Sequence, residues 1–188
     1  FEHYDDWVPR TVEIPDIPLD QLLSDSAARH PDHTALIFGA RVGSRVMDAS
    51  IRYRDLDAMV NRFASGLQRM GVAPGDRVAL MLPNSPQFII AAYATWRIGG
   101  IVVCCNPLYV EREVEHLLED SGAETMVVLS SLYSRVEAVR GNTSLKRVVV
   151  ANIKEHFPFL LRWMFTLTKE KKEGHRVDLS GDAETHPF

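Results

Sequence analysis

The chain has 188 residues, 46% hydrophobic and 24% charged, a balance that suits one sizeable buried core and excludes disorder throughout. A formal charge of −4 and a pI near 6.0 remove the basic footprint of a nucleic-acid binder, so no nucleic acid is expected as a partner. No apolar run reaches bilayer-spanning length and no secretory h-region opens the chain. The two cysteines, Cys104 and Cys105, are neighbours that could form only a strained disulfide, so reduced, buried thiols and a cytoplasmic setting are expected.

Phe1 to Pro18, rich in proline, acid groups and aromatics, reads as an extended N-terminal arm, and residues 19–156 as an α/β subdomain. A first helix runs from Leu19 to His30, with Leu19, Leu22, Leu23 and Ala27 on one face, and Pro31 ends it. Thr34 to Phe38 and Arg45 to Arg52 read as a hairpin joined through a turn region, Gly39 to Ser44. Tyr53 to Met70 is the clearest helix. Leu56, Met59, Val60, Phe63, Ala64, Leu67 and Met70 follow the three-and-four spacing of a core-facing stripe, and Gly71 stops it.

From Gly71 to Tyr109 the chain reads as one βαβ unit. Pro74-Gly75 suits a type II turn, since proline sets φ at the first central position and glycine accepts positive φ at the second. A strand from Val78 to Leu82 follows; then Ser85 is placed to cap a helix opening at Pro86, Gly99-Gly100 ends that helix, and a second buried strand covers Ile101 to Cys105. Further on, Glu111 to Ser121 and Leu132 to Arg140 read as helices, and Met126 to Leu129 and Arg147 to Ala151 as strands. The strand starts recur about every two dozen residues, the room a helical crossover between parallel strands needs. The expected fold class is α/β, a layered domain with a mostly parallel sheet of successive βαβ units and an N-terminal β-hairpin. Phe157 to Lys172 reads as an apolar helix ending in lysines, and residues 173–188 as a linker toward a missing remainder of the domain.

No phosphate loop of the G-x-x-x-x-G-K-[ST] kind and no G-x-G-x-x-G is present, and the seven histidines form no ligand cluster. Open parallel sheets hold ligands at the carboxyl ends of their strands. That rule makes Pro83 to Pro86, Asn106 to Tyr109 and Ser130 to Ser134 the candidate ligand edge. Two coverings are open for Phe157 to Lys172: a peripheral membrane contact on the inner face through Trp163, Phe165 and the lysines, or protein absent from this chain. A homodimer also stays open.

The runs YRDLDAMVNRFASGLQRMGVAPGDRVALMLPNSPQFIIAAYATWRIGGIVVCCNPLY and REVEHLLEDSGA resemble the N-terminal domain of the AMP-forming acyl-CoA synthetases, within the adenylate-forming superfamily. NPLY, the REVEHLLEDSGA helix and the PFLLRWMF segment look most like the bacterial long-chain fatty acid ligases. One departure is Arg52, where the family usually has a capping Ser or Thr before the Tyr53 helix. The resemblance implies a parent enzyme that uses ATP and Mg²⁺ to convert a fatty acid into an acyl-adenylate, after which CoA displaces AMP. The family's phosphate loop and catalytic lysine fall beyond Phe188, so no catalytic or metal-binding residue is expected here, the fragment is expected to lack activity, and strong cofactor binding is not expected. By analogy with related synthetases, Cys105, Asn106, Pro107 and Arg135 are the candidates for the edge that meets CoA. The rival reading is a stand-alone, non-catalytic binding or assembly module of the same fold.

Overall fold

The computed structural model describes residues 3–9, 11–42, 44–179 and 182–188. In chain order it contains α1 (Leu19–Arg29), β1 (Thr34–Val42), β2 (Arg45–Arg52), α2 (Tyr53–Arg69), β3 (Arg77–Met81), α3 (Pro86–Arg97) and β4 (Ile101–Cys104). There follow α4 (Glu111–Ser121), β5 (Thr125–Leu129), α5 (Tyr133–Arg140), β6 (Arg147–Ala151), α6 (Phe159–Thr168) and β7 (Thr185–Pro187).

Strand periodicity divides the interior into two cores. Val78, Leu80, Val127, Val149 and Ala151 pack with Val60, Leu67 and Ile90 on one face of the sheet; Ala79, Met81, Met126, Val128, Val148 and Val150 pack with Val114, Leu118, Val136 and Val139 on the other. Successive residues of a strand point to opposite faces, so strands buried on both sides must be apolar almost throughout. The sheet is parallel in the order β4-β3-β5-β6-β7, with α1 to α3 over one face and α4 and α5 over the other. β1 and β2 form a separate antiparallel hairpin, as the alternation of their sequence predicts.

The turn into β3 has the expected geometry. Gly75 has φ +86° and Asp76 N donates to Ala73 O at 3.1 Å, closing the turn around Pro74-Gly75. At the other end of α3, Arg97 binds three helices together. Its guanidinium reaches Asp57 Oδ1 and Ser24 Oγ at 2.9 Å each and Asn61 Oδ1 at 2.8 Å, with Asp20 Oδ2 3.6 Å away.

Five details differ from expectation. β1 runs on to Val42, because Gly39 pairs with Asp48 inside the ladder; a Cβ there would lie 2.1 Å from Met47 O, so only glycine admits this approach. β4 is an edge strand ending at Cys104, and its exposed side leaves Cys104 open to solvent while Cys105 is buried. Ser85 has the extended backbone of an N-cap, but its hydroxyl bonds no backbone N–H; Phe88 N and Ile89 N turn to the Ser85 carbonyl instead. α6 stops at Thr168, leaving the lysines in the turns beyond it.

The fifth difference is β7, which lies in the stretch read as linker and pairs parallel with β6. Three residues are too short to show a period, and Pro187 is tolerated because β7 is an edge. Asp182 anchors it, accepting from Thr185 Oγ1 at 2.6 Å, Glu184 N at 2.9 Å and the Arg140 guanidinium. These donors hold the Asp182 carboxyl down at about 2. Among the described residues no helix is long and apolar enough to cross a membrane.

Candidate functional site at the carboxyl edge of the sheet

β3 is the hinge of the topology: the chain leaves it through α3 to β4 on one side, then returns through α4 to β5 on the other. The two crossover helices therefore lie on opposite faces, and the loops after β3 and β5 lead away to opposite sides at the carboxyl ends of the strands. Two groups of side chains flank those ends.

The first group sits beside β4. Cys105 N donates to Leu80 O at 3.0 Å, which holds the thiol in the core, and burial raises its pKa to about 11. It is a packed thiol with no thiolate character at neutral pH. Asn106 Oδ1 accepts from Leu108 N at 3.0 Å and shapes the loop through Pro107. Arg135, on α5, donates Nη1 to the carbonyls of Tyr109 at 3.0 Å and Pro107 at 3.3 Å. The tertiary fold thus brings Asn106, Pro107 and Arg135 together and leaves Cys105 beneath them. Arg135 also lines a groove of about 350 Å³ with Val110, Glu111 and Arg112 at the start of α4. Two guanidinium groups line it beside the Glu111 carboxylate, and Glu113 Oε2 accepts from Val110 N at the helix start; arginine forks match phosphate oxygens.

The second group covers the ends of β5 and β6, and sequence reasoning missed most of it. Ser130 Oγ lies 2.7 Å from His175 Nδ1, both residues being buried. Asn152 Nδ2 donates to His175 O at 3.2 Å and to Glu170 Oε1 at 3.3 Å, and Lys154 Nζ meets Glu170 Oε1 at 2.5 Å. Asn152 and Glu155 close a capping box, and Gln87 Nε2 donates to Asn152 O at 2.9 Å and Glu155 Oε2 at 3.2 Å. Burial raises the Glu155 pKa against these donors. Ser85 Oγ and Gln87 Oε1 are buried with no partner among the described residues. The N-x-x-E box was visible in the sequence as a helix-start signature. Glu170 and His175 carried no such signal, since only the fold brings them back over the sheet.

Burial holds the His175 imidazole below the ordinary histidine pKa, aided by Lys154 and opposed by Glu173 and Glu170; burial does the same to His156. The unfolded chain takes up these protons near pH 6.5 and the folded chain resists them. Their contribution to stability is therefore complete above about pH 6.5 and declines as the pH falls below it. Urea unfolding at pH 7.5 and 5.5 should show the lower midpoint at pH 5.5, with a smaller difference in His175→Gln; an equal difference would remove His175 from the effect.

Among the described residues no three His, Cys, Asp or Glu side chains converge as a metal site. The chain carries neither a G-x-x-x-x-G-K-[ST] nor a G-x-G-x-x-G phosphate motif.

An open parallel sheet with helices over both faces defines the class: a doubly wound α/β domain. The model of the AMP-binding enzyme family matches residues 23–185, and the chain belongs to that family. A long-chain-fatty-acid–CoA ligase of Bacillus subtilis (strain 168) is 32% identical over 185 residues, covering 98% of this chain and 31% of the relative. A salicyl-AMP ligase / salicyl-S-ArCP synthetase of Mycobacterium tuberculosis is 41% identical over 110 residues, 58% of this chain and 19% of its own length. The chain therefore spans less than a third of the length of these relatives. Among solved structures, the long-chain-fatty-acid-CoA ligase FadD1 of Archaeoglobus fulgidus matches at TM-score 0.66 and 32% identity, covering 74% of this chain and 28% of that one. Acetoacetyl-CoA synthetase of Streptomyces lividans matches at TM-score 0.64 and 21% identity over 89% of this chain and 24% of that one, a likeness of fold alone.

Proposed function

We propose that this chain is the N-terminal part of a cytoplasmic long-chain fatty acid–CoA ligase, whose whole converts a fatty acid, ATP and CoA into acyl-CoA, AMP and pyrophosphate through an acyl-adenylate. The observation that carries the reading is the Bacillus subtilis ligase match along 98% of the chain. Adenylation suits the chemistry, because a free carboxylate is a poor acyl donor and AMP is a good leaving group. ATP and Mg²⁺ would supply that activation from residues outside this chain.

What the chain contributes is a receiving edge for CoA. Asn106 and Pro107 form the loop that meets the cofactor, Arg135 fixes the loop's carbonyls in place, and the guanidinium groups of Arg135 and Arg112 face an anionic phosphate. Cys105, 3% exposed, supports the loop from the core. On this reading the chain alone has a weak CoA edge and no catalytic centre.

One experiment tests both halves. The purified chain, given ATP, Mg²⁺, palmitate and CoA, should release no pyrophosphate above background, and turnover would overturn the reading. In the same buffer, CoA at about 1 mM should shift the amide resonances of Asn106, Leu108 and Arg112, and the shifts should be lost in Arg135→Gln. Shifts confined to other parts of the chain would remove the CoA edge.

A further inference from the structure

The segment behind α6 is folded on itself. Within residues 169–177, Glu173 N donates to Lys169 O at 2.8 Å, Gly174 N to Lys171 O at 3.3 Å and His175 N to Glu170 O at 2.8 Å, and Gly174 at φ +75° turns the chain back. Most of the segment lies in solvent; Val177 is half-buried, and Glu170 and His175 are the two residues fully buried. A core element inserts apolar side chains, whereas this one inserts a carboxylate and an imidazole.

Those two residues are also its fastenings. Ser130 Oγ, after β5, lies 2.7 Å from His175 Nδ1; behind β6, Asn152 Nδ2 donates to His175 O at 3.2 Å and Lys154 Nζ meets Glu170 Oε1 at 2.5 Å. Apolar contacts hold the two ends instead, through buried Phe165 on one side and through Val177, packed against the second core, on the other. Between these anchors the segment crosses the carboxyl ends of β5 and β6 and is secured by polar contacts.

The surroundings of the imidazole set how it responds to a proton. The Phe165 ring stands edge-on at 5.3 Å, Glu170 and Glu173 lie in the segment itself, Arg176 is the next residue, and Lys154 approaches from behind β6. Glu170 is paired with Lys154 and Glu173 with Lys169, and among the described residues the ring bonds a hydroxyl and no carboxylate. A second proton therefore makes a buried cation without a carboxylate in contact, and burial opposes it.

We propose that residues 169–177 form a proton-sensitive strap that lifts from the carboxyl ends of β5 and β6 in mild acid, uncovering Ser130 and Asn152 while the sheet stays folded. Closed, it holds His175 neutral and Glu170 ionised against Lys154. Open, it lets the imidazolium reach water, so the strap is closed above about pH 6.5 and lifts as the pH falls below it. This goes beyond the ligase reading and stands without it, because lifting requires neither ATP nor CoA.

Hydrogen exchange of the 188-residue chain, with rates corrected for the intrinsic effect of pH, tests it. Between pH 7.5 and 5.5 the amides of Glu173 and His175 should lose protection about tenfold while those of Val127 and Val149 keep theirs. His175→Gln, which takes up no proton and still offers Ser130 a partner, should stay closed at both values, and His156→Gln should leave the transition in place. Nuclear magnetic resonance titration of the parent adds a readout free of substitution: the His175 imidazole and the strap amides should change with one midpoint. Equal protection at both pH values, protection lost from strap and strands together, a transition that survives in His175→Gln, or midpoints about one pH unit apart overturns the proposal.

Discussion

Replacing Lys154 with methionine should destabilise the chain by about 3–5 kcal/mol, the cost of stranding a buried charge when its partner is removed. The Lys154 and Glu170 side chains are 19% and 8% exposed, and their atoms meet at 2.5 Å. Burial by itself would raise the Glu170 pKa; the Lys154 ammonium outweighs it, with Arg176 and Asn152 helping, and the carboxyl sits below its ordinary range. Without Lys154 the carboxylate keeps one amide donor from Asn152 and the more distant charge of Arg176, and loses the ammonium in contact with it. The whole of a domain's stability is roughly 5–15 kcal/mol, so this loss is a large share of it. Urea unfolding of Lys154→Met, Glu170→Leu and the double variant separates the pair from its parts. The double variant should recover most of the loss, because no charge is left buried. A single-variant loss below about 1 kcal/mol would class the pair with ordinary surface ion pairs.

Arg97→Leu should cost roughly 2–4 kcal/mol and release α1 before the rest of the domain unfolds. The Arg97 side chain is 14% exposed and serves Asp20 and Ser24 on α1 together with Asp57 and Asn61 on α2. Leucine would leave two carboxylates facing each other across the α1–α2 seam. α1 has little else to hold it, since Leu23 is its one fully buried residue. Hydrogen exchange should therefore show α1 amides losing protection while those of β3 and β5 keep theirs. Arg97→Lys should rescue little, because one ammonium cannot reproduce a planar fork that reaches four partners on two helices. Uniform loss of protection along the chain would show that Arg97 supports the whole domain and not the α1 seam.

The helices and central strands were legible because each follows a periodicity that burial enforces. Leu56, Val60, Ala64 and Leu67 mark α2 at helical spacing, and Arg147–Ala151 reads as a strand because β6 is covered on both faces. The type II turn at Pro74-Gly75 is also local chemistry, and it appears as expected. Ser85 shows where local reasoning ends. Its residue type and backbone are those of an N-cap, yet packing around β3 and α3 buries the hydroxyl without an N–H to accept from. Of the candidate site, the Asn106-Pro107 loop and Arg135 were named from resemblance, and the fold joins them through the Tyr109 and Pro107 carbonyls. Glu170 and His175 were not named, because their partners Lys154 and Ser130 lie 16 and 45 residues away.

By itself the sequence determined the class of this protein, because apolar strands at regular intervals with helices between them permit little besides a parallel sheet covered on both faces; the family was marked by the resemblance of the YRDLDAM to NPLY run. Those are properties of neighbouring residues, and so they can be read along the chain. Only the tertiary structure decided which residues meet at the carboxyl edge, that β4 is an edge exposing Cys104, and that the stretch around His175 closes over the sheet. Each of these depends on strand order and on the crossings that set it, and strand order leaves no periodic trace in a sequence.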